Sequence, residues 1–120
     1  MGAALRGVVL IFLIAACGER LPEREPLSGG NPRHGRELIA RHGCGSCHTV
    51  PGVPGAQASV GPPLKDVRKR LYIAGRLTNT PENLSKWIRD PRAIDPKTVM
   101  PAVGVDEAEA RDISAYLYSR

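Results

Sequence analysis

The sequence predicts a small all-α domain with long loops. Three segments place apolar residues at helical spacing behind a residue that can cap a helix, and no segment alternates apolar and polar residues as a strand would. The connecting segments are rich in proline and glycine and are long for a compact domain. Loops of this length indicate that the domain is wrapped around a bound group. We therefore expect about four helices and no internal repeats.

The first predicted helix begins at Asn31-Pro32, because asparagine is a good N-cap and proline fits the first helical position. The helix is expected to end near Gly43. The next segment, 51–63, contains four prolines and three glycines and is predicted to be a loop. A short helix is predicted over residues 64–71.

A second strong helix begins at Thr80, again with proline at the first position. Its apolar residues Leu84, Trp87 and Ile88 lie three and four positions apart and share one face. Pro91 is expected to end this helix, and residues 91–104 are predicted to form another loop.

The last predicted helix starts at Asp106. Glu109 follows three positions later, in the pattern of a capping box. The helix carries Ala110, Ile113, Tyr116 and Leu117 on one stripe, which predicts that this face packs against the core.

The most specific motif of the chain is Cys44-Gly45-Ser46-Cys47-His48. Two thiols three positions apart can each form a thioether with one of two neighbouring vinyl groups of a porphyrin, and the next residue then lies under the iron as an axial ligand. The pair Cys44 and Cys47 alone would also suit a redox dithiol, half of a zinc site or a disulfide. A disulfide across so short a loop would stabilise the fold little and would not explain His48. The histidine directly after the second cysteine narrows the choice among the other sites towards haem attachment.

The third cysteine, Cys17, follows a short apolar run that begins after Arg6. The run is too short to span a hydrocarbon core of roughly 30 Å as a helix and is typical of a signal peptide. The ending Ile14-Ala15-Ala16-Cys17 resembles a bacterial lipobox, in which the cysteine becomes the lipidated first residue. We therefore predict a signal peptide over residues 1–16, a lipid-anchored tether over 17–30, which is rich in Pro and Gly, and the folded domain over 31–120. A plain secretion signal with an unrelated cysteine is the alternative.

The net charge of +5 is unevenly distributed. Residues 33–76 contain eight Lys or Arg and two acidic residues, whereas residues 77–120 contain six Lys or Arg and seven acidic residues. A basic region beside a porphyrin edge would steer the protein to an acidic partner. An exported domain whose basic residues are not interleaved with aromatics argues against a nucleic-acid partner.

A haem with one histidine ligand needs a sixth ligand or keeps an open site. Met100 lies in a proline-flanked loop, and its thioether is a soft ligand that raises the redox potential. The alternative is that Met100 only fills a gap in the core. His34 and His42 are predicted to be surface histidines, since His34 lies on the first predicted helix and His42 lies two residues before Cys44, on the attachment side of the motif.

Taken together, these residues make the chain resemble a class I cytochrome c from about Arg33 to Arg120. It is most similar to the cytochrome c domain of haem-copper oxidase subunit II and to small free-standing bacterial cytochromes c. The segments that carry the resemblance are Gly35-Arg36-Glu37-Leu38, Cys44-Gly45-Ser46-Cys47-His48-Thr49, Gly61-Pro62-Pro63-Leu64, Asn79-Thr80-Pro81-Glu82-Asn83-Leu84, Trp87-Ile88-Arg89-Asp90-Pro91, Met100-Pro101 and Asp112-Ile113-Ser114-Ala115-Tyr116-Leu117.

The resemblance implies the cytochrome c fold around one covalent haem c. Cys44 and Cys47 would form the thioethers, and His48 and Met100 would be the axial iron ligands. The remaining implied roles are a hydrogen bond from the imidazole to the Pro62 carbonyl, packing of Trp87 by the distal face, propionate contacts from Arg70 and Asn79, and a close helix crossing at Gly35 near Ala115 and Tyr116.

The function implied is that of a one-electron carrier in a membrane respiratory chain, rather than an enzyme by itself. Its expected partners are a membrane donor complex and a terminal oxidase, and its expected location is the periplasm or the outer face of a bacterial membrane. A dedicated haem-bearing subunit of an oxidase or dehydrogenase stays open, as do a haem sensor or peroxidase and a thiol redox module. The tryptophan that bonds a propionate in mitochondrial relatives is replaced by Asn79. No copper-ligand cysteines or membrane-spanning hairpin precede the domain, so a lipoprotein is expected rather than a fused subunit II.

Overall fold

The computed structural model describes residues 20–120, so the predicted signal peptide and Cys17 lie outside the described residues. The elements in chain order are α1 (Pro32–Arg41), β1 (Tyr72–Ile73), β2 (Leu77–Thr78), α2 (Pro81–Arg89), α3 (Pro91–Ile94) and α4 (Glu107–Tyr118). Two 3₁₀ turns, Cys44–Ser46 and Val67–Lys69, complete the set. The predicted all-α class is confirmed. In this part of the chain, no helix has the length and hydropathy needed to cross a bilayer.

The predicted helix starts are confirmed by their caps. The Asn31 side chain accepts hydrogen bonds from the backbone N–H groups of Arg33 and His34 at 3.0 and 3.2 Å. The Thr80 hydroxyl accepts from Asn83 at the start of α2. At α4 the capping box is complete, because the Asp106 and Glu109 side chains each accept from the other's backbone N–H. Each cap satisfies an N–H group that the helix itself leaves without a partner.

The core is built on α4, against which both α1 and α2 pack. Leu38 and Ile39 of α1 and Ile113 and Tyr116 of α4 are at most 2% exposed. The Tyr116 hydroxyl, which would be costly to bury without a partner, donates to the Pro51 carbonyl at 2.5 Å. The apolar stripe predicted for the last helix is therefore the main core surface.

The crossing of α1 and α4 is close at Gly35. A Cβ atom placed on Gly35 would overlap the carbonyl oxygen of Asp112 and lie 3.0 Å from the Ile113 nitrogen. The predicted close approach at Gly35 is therefore present. The α4 residues that approach Gly35 are Asp112 and Ile113. They lie one turn before Ala115 and Tyr116, the residues that were predicted for this contact.

Three local predictions are corrected by the structure. The helix expected over 64–71 is only the 3₁₀ turn Val67–Lys69, because Asp66 has a left-handed backbone (φ 55°) that interrupts a helix. The segment 91–104, which was expected to be a loop throughout, begins with the short helix α3. The Asp90 side chain caps this helix by accepting a hydrogen bond from the backbone N–H of Ala93.

The third correction is the hairpin of β1 and β2, where Tyr72 pairs with Thr78 and Ile73 with Leu77. Two-residue strands are too short to produce an alternating pattern in the sequence, which is why no strand was predicted.

Part of the predicted tether packs on the domain. Leu21 contacts the core cluster, and Glu25 is 1% exposed. The Glu25 carboxylate accepts from the backbone N–H groups of Leu27 and Ser28 at 3.0 and 2.6 Å, and Glu25 N donates to the Gly30 carbonyl. Residues 21–30 thus form a turn docked beside the start of α1.

Candidate functional site

The Cys-x-x-Cys-His motif lies on a tight turn directly after α1. Gly43 has φ 72°, a left-handed conformation that glycine adopts without steric cost and that ends the helix. The 3₁₀ turn follows, and the backbone N–H of His48 donates to the Cys44 carbonyl at 3.0 Å. This short turn holds both thiols and the imidazole together.

The motif opens into a deep, mainly apolar cleft of about 460 Å³. A volume of this order is typical of a cofactor site. Cys44, Cys47, His48 and Met100 all line it. Its apolar wall comes from α1, α2, α4, the hairpin and the loops between them: Ile39, Leu64, Val67, Ile73, Leu84, Trp87, Ile88, Ile113 and Leu117. A flat apolar group bound here would be covered on several sides by protein.

The His48 ring is held by a backbone carbonyl. Its Nδ1 lies 2.7 Å from the oxygen of Pro62. A carbonyl oxygen can only accept, so Nδ1 carries the proton of the neutral ring, and the lone pair is left on Nε2. An imidazole fixed in this way is the usual arrangement for a histidine that ligates a metal through Nε2.

Gly61 makes room for the same ring. A Cβ atom on Gly61 would overlap His48 Cε1 and lie 2.8 Å from Nδ1 and 3.1 Å from Nε2. The sequence marked Gly61 only as part of a matching segment, whereas the structure shows that the imidazole packs directly on its Cα.

We expect the Gly61→Ala substitution to displace the His48 ring and to weaken its bond to Pro62. Overpacking at such a site destabilises a fold by about 1–3 kcal/mol. The measurement is urea unfolding of the holoprotein together with the visible spectrum. Gly55→Ala is the matched control, because a Cβ there meets no atom within 4 Å and only the cost of its φ of 76° applies. A Gly61→Ala protein with the visible spectrum and the unfolding free energy of the parent would contradict the close packing of the His48 ring on Gly61.

The two predicted propionate partners both line the cleft but differ in their contacts. The Arg70 guanidinium donates to the carbonyls of Pro63 and Lys65. The Asn79 amide donates to the carbonyls of Val67 and Arg70 at 2.7 and 2.8 Å. Propionate contacts for Arg70 and Asn79 stay a prediction.

The amide oxygen of Asn79 is also engaged, because it accepts from the Tyr118 hydroxyl at 2.7 Å. Asn79 thereby ties the segment 67–70 to α4. The sequence offered no signal for this link, since its two ends lie 39 positions apart and in different elements.

The loop that carries Met100 is held at its base, where the backbone N–H of Met100 donates to the Thr98 hydroxyl at 3.2 Å. Met100 is half-buried and lines the cleft, as Trp87 does. A methionine on an irregular loop at a cleft wall differs from a methionine that fills a gap between core helices.

The prediction that His42 is a surface histidine is wrong. Its side chain is 14% exposed and lines the cleft, and its Nε2 lies 3.3 Å from a carboxylate oxygen of Glu109. The end of α1 packs on the first turn of α4, which covers the ring. His34 is more exposed, and its Nδ1 lies 2.8 Å from Asp112 across the helix crossing.

The Cys44 thiol lacks the lowered pKa of a reactive cysteine. Within the described residues Cys44 and Cys47 are both free. Burial raises the pKa of the Cys44 thiol above its usual value, and the nearby Cys47 adds to this effect. A raised pKa keeps the thiol protonated at neutral pH, whereas reactive cysteines have lowered values. Residues 20–120 also contain no group of three His, Cys, Asp or Glu side chains placed to hold an ion, so the zinc-site alternative has no further ligands there.

Several wall residues were not identified from the sequence. Val60, Tyr72 and Val99 border the cleft and are 73%, 62% and 84% exposed. They lie in loops or in a two-residue strand, where no periodicity indicates which side chains meet. Only the scarcity of aromatic residues in this chain could have drawn attention to Tyr72.

Comparison with known proteins agrees with this site. Residues 33–120 match the family model described as cytochrome c. The chain is 38% identical over 86 residues to cytochrome c oxidase subunit 2 of Alkalihalophilus pseudofirmus (strain ATCC BAA-2126 / JCM 17055 / OF4), which covers 71% of this chain and 24% of that protein. It is 39% identical over 66 residues to cytochrome c oxidase subunit 2 of Bacillus sp. (strain PS3), covering 53% and 18% respectively. The chain thus spans about a quarter or less of these relatives. No solved structure matches it significantly.

The residues present fit a haem. An apolar cleft of suitable size is bordered by two free thiols, a carbonyl-fixed imidazole and a thioether. These donors are the ones that c-type haem attachment and ligation require. The matched family covers nearly all of the described domain, and haem binding and electron transfer follow from membership in it. This chain therefore belongs to the cytochrome c family, as a class I domain related to a region of oxidase subunit 2.

Proposed function

We propose that the chain carries one electron at a time through a single haem c, attached at Cys44 and Cys47 and ligated by His48 and Met100. The observation that supports this proposal most strongly is that one cleft gathers these four side chains from two distant parts of the sequence. Cys44 to His48 and Met100 are separated by more than half of the matched domain. Their meeting at one cavity suits axial ligation from two sides.

In this proposal each residue group has a distinct task. The two cysteines hold the cofactor against the turn after α1. The Pro62 carbonyl orients His48, and the Thr98 hydroxyl supports the Met100 loop. The apolar wall excludes water from the cofactor. The surroundings of the cofactor therefore change little on electron transfer, which limits the reorganisation energy. When bound, the haem supplies a one-electron iron couple whose potential the axial methionine raises.

We further propose that the protein is exported, anchored at Cys17 by lipid, and passes electrons in a respiratory chain to a terminal oxidase. The relatives named cytochrome c oxidase subunit 2 support an oxidase as the acceptor. A lipid anchor would confine diffusion to the membrane plane and raise the local concentration.

The mass of the purified protein tests both covalent assignments. We expect one haem added at Cys44 and Cys47, and acyl groups added at Cys17. Cys44→Ser and Cys47→Ser together should abolish covalent haem, whereas the matched control Cys17→Ser should keep the haem and lose the acyl mass. Covalent haem in the double variant, or its absence from the parent protein, would contradict the proposal.

The second candidate function is a dedicated haem-bearing subunit of an oxidase or dehydrogenase complex. It is favoured by the same relatives, whose names describe subunits of an oxidase. Purification from detergent-solubilised membranes distinguishes the two. Stoichiometric copurification with an oxidase supports the subunit, and a monomer with rapid exchange between partners supports the free carrier.

A further inference from the structure

The segment that carries Met100 has little apolar support of its own. We define the Met100 loop as residues 95–105, which follow α3 and lead into α4. Between Pro91, which is fully buried, and Val105, which is 7% exposed, every residue is exposed or half-buried. A segment with so few buried side chains opens more readily than the helices around it. Its position therefore depends on polar contacts as well as on any ligand bond.

Asp95 holds the beginning of this loop. Its Oδ1 atom accepts a hydrogen bond from the backbone N–H of Lys97 at 3.1 Å, and its carbonyl accepts from the N–H of Thr98 at 3.0 Å. The Thr98 hydroxyl in turn accepts from the N–H of Met100 at 3.2 Å. A series of short-range hydrogen bonds thus runs from Asp95 to the residue that we propose as an iron ligand.

The second oxygen of the Asp95 carboxylate contacts a different element. The Arg76 guanidinium donates to Oδ2 at 3.4 Å. Arg76 follows the turn of the hairpin, and its backbone N–H donates to the carbonyl of Ile73, which is 6% exposed and belongs to the core. Among the described residues, the other hydrogen bonds of the Met100 loop stay within 91–100. This ion pair therefore joins the loop to an anchored part of the domain.

The pair lies at the wall of the cleft. The Asp95 side chain is 19% exposed and lines the cleft, whereas Arg76 lies outside it and is 55% exposed. A carboxylate in a mainly apolar wall is costly to desolvate unless its oxygens have partners. Oδ2 has its partner only while the loop lies against the hairpin. Separation of the pair therefore favours movement of Asp95, and the loop that begins there, towards water.

We infer that the Arg76–Asp95 pair is a latch that holds the Met100 loop against the hairpin and so limits how readily another ligand replaces the Met100 thioether. This inference deepens the proposed function and rests on its ligation by Met100. Arg76 and Asp95 are positioning residues, because they act on the ligand only through the loop. A pair that is partly exposed to solvent shifts such an equilibrium by up to about fivefold.

Binding of imidazole to the ferric holoprotein measures the opening of the loop. Imidazole can take the sixth position only after the Met100 thioether has left it, so its apparent affinity is proportional to the fraction of open protein. We expect Arg76→Gln and Asp95→Asn each to raise this affinity about fivefold. Asparagine keeps an oxygen for the Lys97 N–H. Because the two substitutions change the net charge in opposite directions, an equal increase in both cannot come from the charge itself.

A double-mutant cycle distinguishes a latch from two independent effects. The double variant should also gain about fivefold, because either substitution alone already breaks the contact. Arg76→Lys keeps the charge and should retain most of the parent behaviour. Arg89→Gln is the matched control, because it removes an arginine that is 46% exposed and lies 3.9 Å from Glu107, away from the Met100 loop. Its affinity should stay within about twofold of the parent.

An affinity within about twofold of the parent in either single variant would overturn the inference. A double variant that shows the product of the two single effects, about twenty-five-fold, would overturn it as well. Failure of ligation itself is distinguishable, because Met100→Ala would then bind imidazole no more tightly than the parent. In that case amide hydrogen exchange at Lys97 and Met100 decides: faster exchange in Arg76→Gln supports the latch, and unchanged exchange overturns it.

Discussion

Replacing Met100 with alanine is expected to convert the proposed six-coordinate, low-spin haem into one with an open or water-filled sixth position. Alanine has no donor atom, and Met100 is the methionine that the structure places on the wall of the cleft. The midpoint potential should fall by on the order of 0.2 V, within the roughly 0.8 V range that axial ligands cover. Redox titration and the spectrum of the reduced protein with carbon monoxide measure the two effects.

Val99→Ala is the matched control for this experiment. Val99 precedes Met100 in the same loop and borders the cleft, but its side chain is 84% exposed and carries no donor. It should keep the parent spectrum and bind no carbon monoxide. A Met100→Ala protein that retains the low-spin spectrum and the parent potential would refute ligation by Met100.

Replacing Gly35 with alanine is expected to destabilise the domain by about 3 kcal/mol, at the upper end of what overpacking costs. The added methyl would overlap the Asp112 carbonyl oxygen, which belongs to the backbone of α4 and cannot rotate away. The helices would have to separate, which would loosen the packing of the core cluster to which Leu38 and Ile113 both belong. Urea unfolding of the holoprotein measures the loss in free energy.

The sign of this effect is diagnostic. At an exposed helical position alanine is favoured over glycine by about 1 kcal/mol, so a loosely packed crossing would make Gly35→Ala stabilising. Ala40→Gly, on the exposed face of the same helix, is the control and should cost only about 1 kcal/mol through helix propensity. A stabilised Gly35→Ala protein would show that the helices are not in close contact at this residue.

Helix starts were predictable from the sequence because capping is local. Asn31, Thr80 and Asp106 each act on N–H groups within three positions, so the residue types and their spacing contain the whole interaction. The attachment motif was predictable for the same reason, since both thiols and the imidazole lie within five consecutive residues.

The secondary-structure errors also have a local cause, but one that residue types do not reveal. The helix expected over 64–71 is interrupted by the left-handed backbone of Asp66, a conformation rare for residues other than glycine. The hairpin is enforced by positive φ at Ala74 and Gly75, and its strands are too short to leave a periodic pattern.

By itself, the sequence determined the helical class, the caps, the haem motif and the candidate ligands, since each is expressed in residue types at short spacing. Only the tertiary structure decided that His42 is covered by Glu109, that Asn79 is joined to Tyr118, that Gly61 receives the His48 ring and that residues 21–30 dock on the domain. Whether these residues meet depends on how α1, α2 and α4 pack. Packing depends on the sum of many weak contacts, and no short pattern records it.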